Sequence, residues 1–388
     1  MNTSVSSFNK LQVPTGLLDA QAYELFSVIF LFALVIPITV FGLVSNVVNI
    51  VIFLKIGRDD PVSISFLALS VSDLTYLLIL AFTSVSNGLV LYDVTGTTSL
   101  TPLVYYVIWY ALIFHKTSAL ITTYTSVARC CCVVIALKFR HFFTLKRTYI
   151  VLVAIFLIGI GLHVPPIATQ ELTWSRYRVS RGINKSSVLV SGFTLKRLAG
   201  FRESKSVHDT LNNNALLYTC VAISFVCLLA LVNALRASAT FRQASTVVTS
   251  TSASSSSSSH DHTPRMTSPI NTQTPPSSKL VQSEKEKTSH GALNGKEIQV
   301  IKAVTLVCAI FLLSNVPVIL NSLARLAVPD FDLGRRFHYL FIVCSTTGTF
   351  CGYFSAAINI VVYFQFNSRY RDCLTSFISG KTGGSKKK

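Results

Sequence analysis

Seven stretches of this chain are long and apolar enough to leave a bilayer-spanning helix as their stable form. They cover approximately residues 25–54, 63–87, 103–137, 147–169, 213–237, 298–326 and 338–364. About 20 apolar residues in helical form cross a bilayer core. Backbone N–H and C=O groups in lipid must be paired within the segment, so these stretches are helices rather than open strands. The composition agrees. Of 388 residues 51% are apolar and 13% charged, with mean hydropathy +0.54; a soluble chain carries roughly 25% charged residues. The fold class read here is an all-α membrane protein, a seven-transmembrane helix bundle with a short amphipathic helix after the seventh span.

The net charge is +18, but the cations sit between the apolar runs. There they act as topology signals and contacts for anionic lipid heads, and they do not point to nucleic acid. Lys55, Arg58, Lys138, Arg140, Lys146, Arg147, Arg369, Arg371 and Lys386–Lys388 fall in the short loops and tail of one side. The opposite short loops carry few cations, which places the N-terminus outside and the C-terminus in the cytoplasm of a plasma-membrane protein. Sequons at Asn2 and Asn184 fall outside in this arrangement, as glycosylation requires. The loop 170–212 is also basic, and long loops cross largely regardless of charge. Residues 1–24 form the extracellular N-tail, with no basic, apolar and cleavage regions of a removable signal peptide.

Residues 238–297 are a different polymer, rich in Ser and Thr, with a serine run at 254–259. Such a stretch buries too little apolar surface to order itself and reads as a disordered cytoplasmic loop. It serves either as a spacer or as a set of phosphorylation targets for kinases and arrestin. In the segment 365–388, Phe366, Tyr370, Cys373, Leu374 and Phe377 recur at helical spacing, which predicts an amphipathic helix on the inner leaflet. Cys373 is either a palmitoylation site or a buried small residue. The nine cysteines show no zinc-type spacing, so no metal site is expected.

The polar residues inside the spans carry the functional reading. Asn46 lies in the first span, Asp73 in the second, Ser118 in the third, and Ser355 and Asn359 in the seventh. A buried carboxylate must pair, bind a cation or neutralise. Together these oxygens would hold a sodium ion or waters, or serve as a packing network without regulatory use. Arg129 ends the third span, in Val127-Ala128-Arg129-Cys130.

Asn46, the Leu69-to-Leu74 string around Asp73, Arg129, Pro317 and Asn359-Ile360-Val361-Val362-Tyr363 together resemble rhodopsin-like (class A) G-protein-coupled receptors, over all seven spans and in order. The second span and the Arg129–Val133 string also resemble the chemosensory-receptor-like group of molluscs. The departures are Ala128 in place of the acid before Arg129, Ser314 and Asn315 in the motif ending at Pro317, and Ile360 where the seventh-span proline belongs. The resemblance implies a receptor that senses an extracellular small molecule or peptide and activates a heterotrimeric G protein. Arg129, Glu297 and Tyr363 would form the G-protein switch, with Arg129 and Glu297 paired at rest. Pro317, which removes a backbone donor and kinks its helix, would be the hinge.

His115, Lys116 and Asn315 are the candidate ligand-pocket residues. A lysine inside a span suggests an anionic small molecule or acidic peptide, or else an internal pairing with Asp73 or snorkelling between helices. The alternative class, a seven-helix transporter or channel subunit, lacks the internal repeats such folds often show. No nucleophile–base pair or phosphate loop suggests an enzyme.

Overall fold

A computed structural model describes residues 16–91, 100–134, 143–181, 186–254, 295–332 and 334–379. Seven of its helices are long and apolar enough to cross a membrane. They are α1 (Ala20–Ile56), α2 (Pro61–Leu91), α3 (Thr101–Val134), α4 (Leu145–Ala168), α5 (Phe201 through Ser254), α6 (Gly295–Ala327) and α7 (His338–Phe366). A short helix, α8 (Ser368–Ile378), follows.

The bundle sets polar side chains within an apolar core and turns apolar side chains outward. Large apolar side chains stand exposed along one face of α1 (Val40, Phe41, Val44, Val47), α4 (Ile150, Val153, Leu157) and α6 (Leu313, Val316, Leu320). Exposed apolar area on this scale marks a surface made for lipid. The interior holds Asn46, Asn49, Ser70, Ser72, Thr117 and His163, all with no exposure. Hydroxyls and amides join neighbouring helices: Tyr124 Oη to Thr148 Oγ1 at 3.1 Å (α3–α4), Thr123 Oγ1 to Ser224 Oγ at 3.3 Å (α3–α5) and Asn321 Nδ2 to Ser345 Oγ at 3.0 Å (α6–α7). Such bonds and close packing associate helices where lipid supplies no hydrophobic drive.

Two irregularities have local causes. In α1 a π-helical turn, Leu31–Val35, precedes Pro37. Proline has no N–H and crowds the carbonyl four residues earlier, which a widened turn relieves. In α5 a second π-helical stretch, Asp209–Leu216, covers the run Asn212–Asn214, residues of low helix propensity.

The structure differs from the sequence reading at α5. The helix begins at Phe201 rather than 213, and it continues to Ser254, past the loop start read at 238. No proline or glycine interrupts 201–254, and Ala, Leu and Arg in 234–239 are strong helix formers. Residues 255–294 lie outside the described residues. The segment read as an open loop after α4 is an antiparallel hairpin, β1 (Gln170–Arg181) and β2 (Ser186–Arg197), packed against α3 and α4. Its pairing is fixed side chain to side chain, with Trp174 edge-on to Phe193 at 4.9 Å and Thr173 Oγ1 2.9 Å from Thr194 Oγ1. Cross-strand pairs of this kind set register. The Glu171–Lys196 pair, at 3.9 Å and well exposed, adds little.

Helix α8 does not lay its whole apolar stripe on the membrane. Asn367 caps it by accepting the Tyr370 N–H at 3.1 Å. Tyr370 is fully buried, and its hydroxyl donates to Asn49 Oδ1 of α1 at 2.6 Å. Burial pushes the Tyr370 phenol well above its ordinary range, so it remains a donor. Its ring joins Phe53, Phe66 and Tyr363 in one aromatic cluster. Leu374 is buried and Cys373 half-buried against the same core. Only Phe377, under the Lys55 ammonium at 4.0 Å, and Ile378 stay outward.

Candidate functional site

Polar side chains gather at two levels of the bundle interior, around Asp73 and at Arg129. At the first, Asp73 of α2 accepts the Ser118 hydroxyl of α3 at 2.6 Å and the Asn359 amide of α7 at 2.9 Å. The carboxylate thus ties three helices together. A cavity of about 30 Å³ lies beside it, lined among others by Asp73, His115, Ser118, Asn315, Ser355 and Asn359. That volume suits one water or one small ion. The oxygens of Asp73, Ser118 and Ser355 are hard donors, as a sodium ion requires.

Asn46 does not line this cavity. Its amide donates to the carbonyls of Gly42 and Ala356, both at 2.9 Å. Ser45 spans the same interface, donating to Gly42 and Ala357, both at 3.0 Å. These bonds reach α7 at the break before Asn359, where Ile358 interrupts the helix.

His115 and Lys116 part company. His115 stacks on Tyr76 at 4.9 Å and lines the small cavity. Lys116, one position round α3, is 6% exposed and lies within electrostatic reach of His163 and Cys220. It is not paired with Asp73, and no ion pair among the described residues includes it. Asn315 is buried and donates to the Phe311 carbonyl at 2.7 Å, which also accepts the Ser314 hydroxyl at 2.9 Å. Pro317 sits inside the continuous helix α6 and leaves the Leu313 carbonyl without its helical donor.

At the far end Arg129, half-buried, opens into a larger cavity of about 400 Å³. Asp60, Ser63, Gln299, Asn367, Arg369 and Asp372 share its wall, so α2, α3, α6 and α8 meet there. Asp60 caps α2, accepting the Ser63 N–H at 3.3 Å and its hydroxyl at 3.2 Å. The side chain of Glu297, the partner expected for Arg129, lies outside the described residues, as do Asn2 and Asn184. The acids that share the Arg129 cavity are Asp60 and Asp372. Tyr363 is not in that wall; it is fully buried in the aromatic cluster, and its hydroxyl has no partner among the described residues.

Sequence reasoning missed Asn49, which anchors α8, and Asn212, which bridges two buried histidines (His163 and His208). The spacing of Asn49, one turn beyond Asn46, would have found it. Asn212 lies just before residue 213, where the fifth apolar stretch begins.

Residues 36–171, about a third of the chain, match the model of a family described as serpentine type 7TM GPCR chemoreceptor Srx. The match runs from α1 into β1 and includes Asn46, Asp73, Ser118 and Arg129. The match supports a receptor of the G-protein-coupled kind. No curated protein matches the chain.

Proposed function

We propose that the chain is a chemosensory G-protein-coupled receptor, with the hairpin end of the bundle outside the cell and the Arg129 end in the cytoplasm. The observation that carries this reading is the Arg129 cavity. A cation at the foot of α3 opens onto a space bounded by the ends of α2, α6 and α8, large enough for a segment of a partner protein. The similarity of residues 36–171 to a receptor family supports the same reading. A heterotrimeric G protein would enter this cavity when α6 swings about Pro317 and widens it. Arrestin and kinases would act on the Ser/Thr-rich stretch 238–297.

The small cavity at Asp73 is proposed as a sodium or water site that stiffens the resting bundle. Lys116 is proposed as the counter-charge for an anionic ligand. A buried ammonium is costly unless paired, and Asp73 is engaged by Ser118 and Asn359 instead. A G-protein recruitment screen against panels of water-borne small molecules and peptides tests the reading. Anionic compounds are the expected responders. Lys116→Met should lower their potency by about tenfold or more, as loss of a charge-assisted contact of 1.5–3 kcal/mol implies, while leaving surface expression intact. Equal potency on both receptors would remove Lys116 from the ligand site.

A further inference from the structure

At the hairpin end, α4 and α5 are joined by a group of side chains that the receptor reading does not use. His163 is fully buried, His208 is 4% exposed and Asn212 is fully buried. The imidazole rings meet at 66° with centroids 4.7 Å apart, and Trp109 of α3 stands edge-on to His208 at 5.2 Å.

The hydrogen bonds fix the role of each ring nitrogen. His163 Nδ1 lies 2.7 Å from the Gly159 carbonyl, which only accepts, so Nδ1 carries the proton. His208 Nδ1 faces the Asp209 carboxylate at 3.4 Å and donates in the same way. Each Nε2 then faces the Asn212 amide as an acceptor. They converge on one atom, the Asn212 Nδ2, at 3.0 and 2.8 Å. The amide spends both N–H groups there, and its Oδ1 is buried without a partner.

Two imidazole lone pairs thus aim at one point, and each ring is oriented from behind by a carbonyl or a carboxylate. Metal-binding histidines are held in just this manner. Neutral imidazole nitrogen suits zinc-like cations rather than Mg²⁺ or Ca²⁺. We propose that His163, His208 and Asn212 form a binding site for a zinc-class divalent cation, with the two Nε2 atoms and the Asn212 Oδ1 as protein ligands. The amide turns over on binding, so that its orphaned oxygen replaces the N–H groups facing the rings. Zinc–nitrogen bonds are about 2.0–2.1 Å, so the rings close toward each other and draw α4 onto α5. Among the described residues, no three His, Cys, Asp or Glu side chains are placed together for a metal. Three protein donors leave one position of a tetrahedral zinc shell for water. Asp209 favours a cation here; Lys116, near His163, and Lys205, bound to Asp209 at 2.7 Å, oppose it.

The test is Zn²⁺ binding to the full chain in nanodiscs, read by competition with a fluorescent chelator. It is run on the wild type and with His260 and His262 replaced by glutamine, because that His-Asp-His run also attracts zinc. One saturable site should survive the double replacement and resist excess Mg²⁺. His208→Gln should weaken it by about tenfold or more, the usual effect of disturbing such a ligand set. Asn212→Asp, which adds a negative charge at the third donor, should tighten it, and this variant carries the test if His208→Gln folds poorly. Loss of saturable binding in the double replacement, or unchanged affinity in Asn212→Asp, overturns the site.

Discussion

Replacing Gly42 with valine is expected to abolish folded protein at the cell surface. A Cβ at this position would lie 2.6 Å from Leu77 Cδ1 and 2.9 Å from Ala357 Cβ, with the Ala357 Cα at 3.3 Å. Leu77 and Ala357 are fully buried, so neither has space to retreat into. Helix α7 is held to α1 at this level by Ser45 and Asn46, which bond the Ala357 and Ala356 carbonyls. Pushing α7 away sacrifices both bonds. Overpacking alone costs about 1–3 kcal/mol, and each lost bond about 1 kcal/mol. Total stability is of order 5–15 kcal/mol, so the sum is a large share of it. Gly161 provides the control: nothing lies within 4 Å of its Cβ position, and Gly161→Val should express like the wild type. Surface labelling and a thermal melt of the solubilised protein read both variants.

Asp73 separates packing from ion binding. Asp73→Leu leaves the Ser118 hydroxyl and the Asn359 amide without their acceptor in the buried interior, at about 1–3 kcal/mol each, and pushes a branched apolar group toward a cavity of about 30 Å³. Poor expression and loss of signalling are expected. Asp73→Asn keeps the shape and one acceptor oxygen but removes the charge. It should fold, and its response should no longer change when sodium is exchanged for a large organic cation. A sodium dependence that persists in Asp73→Asn would mean that the ion acts elsewhere.

The spans were legible in the sequence because lipid makes a simple demand, a long apolar helix, and the polar residues within them stood out against that background. Asp73 bonds Ser118 and Asn359, three polar residues from three different spans. The hairpin was not legible, since its strands are polar and basic, and their order comes from pairs such as Trp174 with Phe193 that are distant in the chain. The stripe of α8 read as lipid-facing because a buried tyrosine and a lipid-facing one have the same spacing; only the Asn49 contact distinguishes them. The acids near Arg129 escaped notice for a similar reason. Asp60 and Asp372 are far apart in the chain, and folding alone brings them to one cavity.

The most direct test of the receptor assignment is nucleotide exchange on a panel of heterotrimeric G proteins. The purified chain, reconstituted in vesicles, is compared with Arg129→Ala. The wild type should accelerate exchange on at least one G protein, spontaneously or with a responder from the anionic panel. Arg129→Ala should return the rate to that of empty vesicles while keeping the wild-type melting temperature. Exchange that is indifferent to Arg129, or ion flux through the vesicles with no G protein present, would contradict it.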